Sequence, residues 1–278
     1  MENDRLGQGE FLGLPYWQRD HDGLILTLTT YGRSSTYRPH THEHPTIFVL
    51  IKGAHYDTTA RYELLQPPLT GVFHSIAEPH ATRVGPDGML GVNVEMPQAW
   101  LKNHELSGTE LGGSRLLTSA GSRLSVLRFL ASLSQVDPFR KGELATAVVE
   151  LLAPAVTHRG LTPRGREPSW LCRADEFLQS NSHLAIGLRH VAEEVRVHPV
   201  YCARAFRRYR GCTVSERLRQ LRIATAGELI LGDGATLVEA ALRSGFADQA
   251  HFSRCASRVL GFSPQVLKNA QKNLIRGP

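Results

Sequence analysis

Over the first hundred positions, apolar residues come in short blocks. Leu24-Ile25-Leu26-Thr27-Leu28, Ile47-Phe48-Val49-Leu50-Ile51, Val72-Phe73 and Val92-Asn93-Val94 are β-branched or apolar runs. Gly32, Gly53, Pro67-Pro68, Gly71, Pro79 and Gly85-Pro86-Asp87-Gly88 punctuate them. Many short strands with frequent turn signals predict an antiparallel all-β sandwich or barrel over residues 1–100. After Pro97 the period lengthens. Leu124, Leu127 and Ala131, then Leu144, Val148, Leu151 and Leu152, recur at helical spacing. A helical segment is therefore expected over 101–156, its stripes either capping the barrel or pairing two subunits. Residues 157–168 are basic, poor in apolar side chains and broken by Gly and Pro, as a linker would be.

From 169 to 278 the pattern predicts an all-α domain containing an approximate internal duplication. In the first unit Leu188, Val191, Ala192 and Val195 share one helical face. Pro199 suits the first turn of a second helix, although His198 stands where a Ser or Thr cap is expected. Cys202, Ala205 and Phe206 face inward on that helix. In the second unit Leu237–Leu242 leads to Gly245, which can end a helix in the left-handed region. Asp248 can then cap the helix that follows. A long helix from about Val214 to Leu231 separates the two units.

Charge sharpens the division. The chain has 278 residues, 41% of them apolar and 21% charged, with a formal net charge of +6. Residues 169–278 hold 16 Lys+Arg against 9 Asp+Glu, an excess of +7, whereas residues 1–168 hold 16 against 17. A polyanion suits the last third as a partner. No run approaches the ~18 apolar residues of a membrane span. The opening MENDRLGQGEF is polar and does not read as a signal peptide, so a cytoplasmic location without membrane contact is expected. Cys172, Cys202, Cys212 and Cys255 have no metal-ligand or disulfide spacing.

Ser244-Gly245-Phe246-Ala247-Asp248-Gln249-Ala250-His251-Phe252-Ser253-Arg254, followed by Gly261-Phe262-Ser263-Pro264, resembles the signature of the AraC/XylS family of transcriptional regulators. Arg222 and Ala226 resemble that family's linker-helix pair. The resemblance covers about 100 residues and implies two helix-turn-helix motifs whose second helices enter successive major grooves. It places Val200, Ala203 and Arg204 in the first unit, and Gln249, Ala250, Ser253 and Arg254 in the second, against base edges. Arginine can bond guanine and glutamine adenine in a bidentate way. Arg207, Arg208, Arg210, Arg258 and Lys268 are candidates for phosphate contacts; His251 could reach DNA or pack against the turn. Double-stranded promoter DNA is the implied partner, with RNA polymerase, a small-molecule effector and a second copy in a homodimer. Ala256, Cys202, His198, Arg217, Leu267 and Lys268 depart from the family pattern. Uncompensated core losses among them would cost ~2–5 kcal/mol each.

His40-Thr41-His42-Glu43-His44 puts three imidazoles on one face of an extended segment. With Gly32, Thr46, Gly53 and the later His80, this stretch resembles the motifs of cupin barrels, which implies a cupin-like sensory domain. Metal-binding cupins carry Glu at the position of Thr46. His40, His42 and His80 could still hold Zn or Fe with open positions, but no cofactor is required. Tyr37, Phe48 and His44, with Trp17 and Tyr56, are candidates for an effector pocket. No catalytic residue is assigned and the chain is not expected to be an enzyme. The alternative is a metal-dependent cupin enzyme with a DNA-binding appendage.

Overall fold

The structure, a computed structural model, describes residues 4–76, 78–106, 113–117, 120–134, 142–156 and 167–276. The expected linker at 157–168 lies outside the described residues except for Glu167 and Pro168. By internal contacts the chain divides into two units, Met1–Thr157 with Asn269–Pro278, and His158–Lys268.

The first unit is a nine-stranded sheet curled into a half-barrel: β1 (Asp4–Leu6), β2 (Leu14–His21), β3 (Leu24–Tyr31), β4 (Thr36–His42), β5 (Thr46–Thr59), β6 (Glu63–Gln66), β7 (Thr70–His74), β8 (His80–Glu95) and β9 (Arg115–Leu117). The predicted runs at 24, 47, 72 and 92 all lie in strands. The curl comes from the two long strands. β5 pairs with β8 along its whole length, with register shifts at Leu50/Lys52 and Gly53/His55. Such bulges bend a strand and increase its twist. Beyond the bends each long strand changes its second neighbour: β5 passes from β7 to β6, and β8 from β4 to β3. Gly53 is required at one bend, since its φ is +95° and a Cβ there would lie 2.0 Å from Gly88 O.

Three helices follow the strands: α1 (Gln98–Asn103), α2 (Ala120–Ser134) and α3 (Glu143–Val156), with β9 falling between the first two. α2 and α3 pack on each other, α2 on β7 and α3 on β9. Leu124, Leu127, Ala131, Leu144, Val148, Leu151 and Leu152 are buried within the chain. The stripes are buried where α2 and α3 pack on each other and on the sheet.

In the second unit α4 (Trp170–Ser180) precedes α5 (Leu188–Glu194), α6 (Pro199–Arg210), α7 (Val214–Leu231), α8 (Leu237–Arg243) and α9 (Gln249–Leu260); α10 (Pro264–Arg276) begins there. The long separating helix has the predicted bounds. Its N-terminus carries a capping box: Thr213 Oγ1 accepts from Glu216 N at 3.1 Å, and Glu216 Oε2 accepts from Thr213 N at 2.7 Å. Thr236 and Glu239 repeat it at α8. No described helix is long and apolar enough to cross a membrane.

Candidate nucleic-acid interface and the histidine cluster

Each helix-turn-helix is set by small residues where two helices approach. Ala192 and Ala241 are buried in the middle of α5 and α8, and Phe206 and Phe252 are buried on α6 and α9, the helices that pack on them. Gly245 has φ +91°, and a Cβ on it would lie 2.7 Å from His183 O, so only glycine fits that turn. Arg222 on α7 donates to Ser182 O and Leu184 O, both at 2.7 Å, fixing the loop ahead of α5. Ala226, its partner in the linker-helix motif, is fully buried.

Both second helices have capped N-termini. Asp248 Oδ1 accepts from His251 N at 2.6 Å. The imidazole of His198, expected to cap weakly, accepts from Val200 N through Nδ1 at 3.3 Å. We predict that His198→Ala costs the chain about 1 kcal/mol in denaturant titration, whereas His198→Ser, which restores a hydroxyl cap, costs a few tenths or less. Equal losses from both variants would show that the imidazole is not acting as a cap.

The residues expected to meet DNA sort by exposure. Val200, Arg204, Arg207 and Arg208 on α6 are exposed, as are Gln249, Ala250, Arg254 and Arg258 on α9, while Ala203, Ser253 and His251 are half-buried. Val200 is 52% exposed. The ring of His251 lies edge-on to Phe246, with centroids 5.3 Å apart, which is the packing alternative. Arg208 lies over the Tyr209 ring at 5.3 Å.

Two expected phosphate contacts are engaged elsewhere. Lys268 Nζ donates to Gly234 O and Ala235 O, tying α10 to the turn after α7. Arg210 donates through Nε to Asp175 and through its terminal nitrogen to Glu167 Oε1 at 2.7 Å. Arg217, one of the departures from the family pattern, pairs with the same Asp175 at 3.1 Å. The two carboxylates hold the Arg210 guanidinium above its usual pKa, with Glu167 the larger influence. The other departures are absorbed inside: Cys202, Ala256 and Leu267 are fully buried. Trp170 on α4 packs against the exposed ring of Tyr201 at 5.6 Å, a contact that no local pattern signalled.

In the half-barrel the strands gather five buried imidazoles, His40, His42, His55, His74 and His80, around one cavity. His40, His42 and His80 were expected there; His55 and His74 were not. Of the residues proposed for an effector pocket, Tyr37 and Phe48 line this cavity, whereas His44, Trp17 and Tyr56 are not among its lining residues. His40 and His80 place Nδ1 on the carbonyls of Arg38 and Glu78 at 3.0 and 3.4 Å. Candidate ligand atoms of His40, His42 and His80 lie within 4.8 Å of one another, and so do those of Asp57, His74 and His80. His55 is fully engaged, with Nδ1 on Gln66 Oε1 at 2.6 Å and Nε2 on Thr82 Oγ1 at 3.3 Å. Burial pushes His42 down to about 3 and His55 to about 4, and lowers His40, His74 and His80 as well. Burial thus favours the neutral imidazole at each of the five, the form in which histidine binds metal. Burial also raises Asp57 to about 7 and Glu95 to about 7.

Comparison with known proteins bears on the second unit. Residues 191–270 match the model of a helix-turn-helix domain family. The chain is 34% identical over 79 residues to the HTH-type transcriptional activator RhaR of Cronobacter sakazakii, which is 28% of each protein. It is 28% identical over 95 residues to the HTH-type transcriptional regulator GbdR of Pseudomonas aeruginosa, covering 34% of this chain and 26% of that one. The chain therefore spans about a quarter of the length of these curated relatives. Among solved structures, the C-terminal domain of AraT, a response regulator from Geobacillus stearothermophilus, matches at 30% identity with a TM-score of 0.35, over 37% of this chain and 87% of that one. Fatty-acid-bound ToxT from Vibrio cholerae matches at 15% identity with a TM-score of 0.39, over 90% of this chain and 96% of that one. The matched stretch takes in α6 to α9 and most of α5, so residues 191–270 of the second unit are a helix-turn-helix domain.

Proposed function

We propose that the chain is a sequence-specific transcriptional regulator that binds double-stranded promoter DNA with α6 and α9 in successive major grooves, and that the half-barrel unit senses an effector. The pair of capped helices carries this reading: each presents an arginine, Arg204 or Arg254, exposed on its second turn. Arg254 and Gln249 read guanine and adenine, Arg204 reads guanine, and Val200 and Ala203 touch thymine methyls. Arg207, Arg208 and Arg258 sit on phosphates and supply affinity without choice. Ala250 and Ser253 lie against base edges, and His251 supports the turn. The chain acts in the cytoplasm, where a homodimer and RNA polymerase complete the assembly, and it is not an enzyme.

The test is a titration of labelled duplexes carrying a selected site or an unrelated sequence, at several salt concentrations. Affinity should fall steeply with salt for both duplexes, and the selected site should stay at least ~10³-fold tighter. Equal affinity for both would leave only architectural binding. For the half-barrel, His40, His42 and His80 are the candidate holders of a divalent ion such as Zn or Fe. Their donor type suits one, and the carbonyls of Arg38 and Glu78 can fix the tautomers of His40 and His80.

A further inference from the structure

We infer that Tyr201 is a further DNA-contacting residue, donating its hydroxyl to a phosphate at the flank of α6, and that Trp170 on α4 is the positioning residue that holds its ring there. This rests on the proposed binding of duplex DNA by α6 and α9, and adds a backbone contact to it.

The helical wheel of α6 supplies the first ground. Cys202, Ala205 and Phe206 are buried and define its inner face. At about 100° per residue, Val200, Arg204 and Arg207 point the opposite way, toward the floor of the groove in the proposed complex. Tyr201 falls about a quarter-turn to one side of that line, and Arg208, two turns on, falls within about 20° of Tyr201. Both are exposed. The walls of a major groove are the two phosphate backbones, so side chains on the flank of a seated helix meet phosphates rather than base edges. Arg208 is already a phosphate candidate, and Tyr201 extends its flank toward the N-terminus of the helix.

The ring itself supplies the second. Tyr201 is 51% exposed, and among the described residues no group hydrogen-bonds its hydroxyl. A neutral donor therefore stands open at the surface, of the kind that tyrosine offers to phosphate oxygens. The ring is nonetheless held. Trp170, half-buried at the start of α4, lies 5.6 Å away with the planes at 59°. Tilted aromatic pairs attract beyond the area they bury, and the contact narrows the rotamers open to the tyrosine. A donor already in place gives up less freedom on binding. Glu167, three residues before Trp170, is paired with Arg210, which offsets its repulsion of a phosphate.

The duplicated motif gives the third. Tyr201 is the third residue after the His198 cap, as His251 is the third after the Asp248 cap. His251 is half-buried and leans on Phe246 of its own turn. Tyr201 takes its support from outside its motif, and its longer ring carries the polar end out to the surface.

The experiment titrates the full-length chain onto the same two duplexes, a selected site and an unrelated sequence, at several salt concentrations. Tyr201→Phe, which removes only the hydroxyl, should weaken both by roughly three- to tenfold, the worth of one hydrogen bond. The salt slope should hold, since a neutral donor displaces no counterion, whereas Arg208→Ala should reduce it by about one. Trp170→Ala should lose as much affinity as Tyr201→Phe, and Trp170→Phe should stay close to the wild type. In the double variant Trp170→Ala/Tyr201→Phe the two losses should not add, because the tryptophan acts through the hydroxyl. Far-UV circular dichroism confirms that each variant is folded. If Tyr201→Phe binds both duplexes as the wild type does while Arg254→Ala loses the selected site, the phosphate contact is wrong and the recognition reading stands. A loss confined to the selected site would put Tyr201 on a base and overturn the assignment. Additive losses in the double variant would end the positioning role of Trp170. If the wild-type chain binds neither duplex, both readings fall.

Discussion

Arg254→Ala is expected to lower affinity for the selected operator by roughly 5- to 150-fold, the 1–3 kcal/mol of one bidentate base contact. Affinity for an unrelated duplex should change by less than about threefold, and the slope of log affinity against log salt should hold. The reasoning starts from Asp248, whose cap fixes the first turn of α9, and from Phe252 and Ala256, which anchor its inner face. With the inner face fixed, Gln249 and Arg254 must point outward. Arg207→Ala should do the reverse, weakening both duplexes alike and reducing the salt slope by about one. Arg204→Ala should relax one position of the site. The double variant Gln249→Ala/Arg254→Ala should lose more discrimination than Arg204→Ala, because α6 otherwise offers only Val200 and Ala203. Equal loss of specific and unrelated binding in Arg254→Ala would move that residue to the phosphates.

The second large effect is on stability. Asp175→Ala should destabilise the C-terminal unit by about 3 kcal/mol, seen by calorimetry of the full chain as a loss of roughly 10–20 °C in that unit's transition. Asp175 carries two guanidiniums, Arg210 and Arg217, and the three side chains are only 14%, 21% and 12% exposed. Removing the carboxylate leaves two half-desolvated cations facing each other. Glu167, at 41% exposure, still meets Arg210, so the effect belongs near the lower end of the range for buried pairs. Glu167→Ala itself should cost less than about 1 kcal/mol, as outer ion pairs do. Because Arg210 is the last residue of α6, the same network clamps that helix to α4 and α7. A shift under about 3 °C for Asp175→Ala would show that the network contributes little.

These two predictions draw on different kinds of legibility. Arg254 was readable in the sequence because a recognition helix is local: a cap, an apolar spacing and a glycine at the turn lie within fifteen residues. The bounds of α7 were readable for the same reason, and its Thr213/Glu216 capping box was there to be found. The Asp175 network was not readable, since its partners lie 35 and 42 positions away and nothing local distinguishes Arg210 from Arg207. Exposure decides between them, and exposure is tertiary. The half-barrel repeats the lesson. His40 and His42 announced themselves by alternation, but His74 joins them only through the register of β5 with β7. His44 continues the same alternation and yet falls beyond the end of β4, outside the cavity lining.

The most direct test of the central claim is site selection from a random duplex library with the full chain. The account predicts a recovered site of two elements about one helical turn, ~10 bp, apart. The element read by α9 should be the more constrained and should degenerate in Arg254→Ala, while the other element survives. Recovery of no enriched sequence, or of one unaffected by Arg254→Ala and Arg204→Ala together, would contradict it.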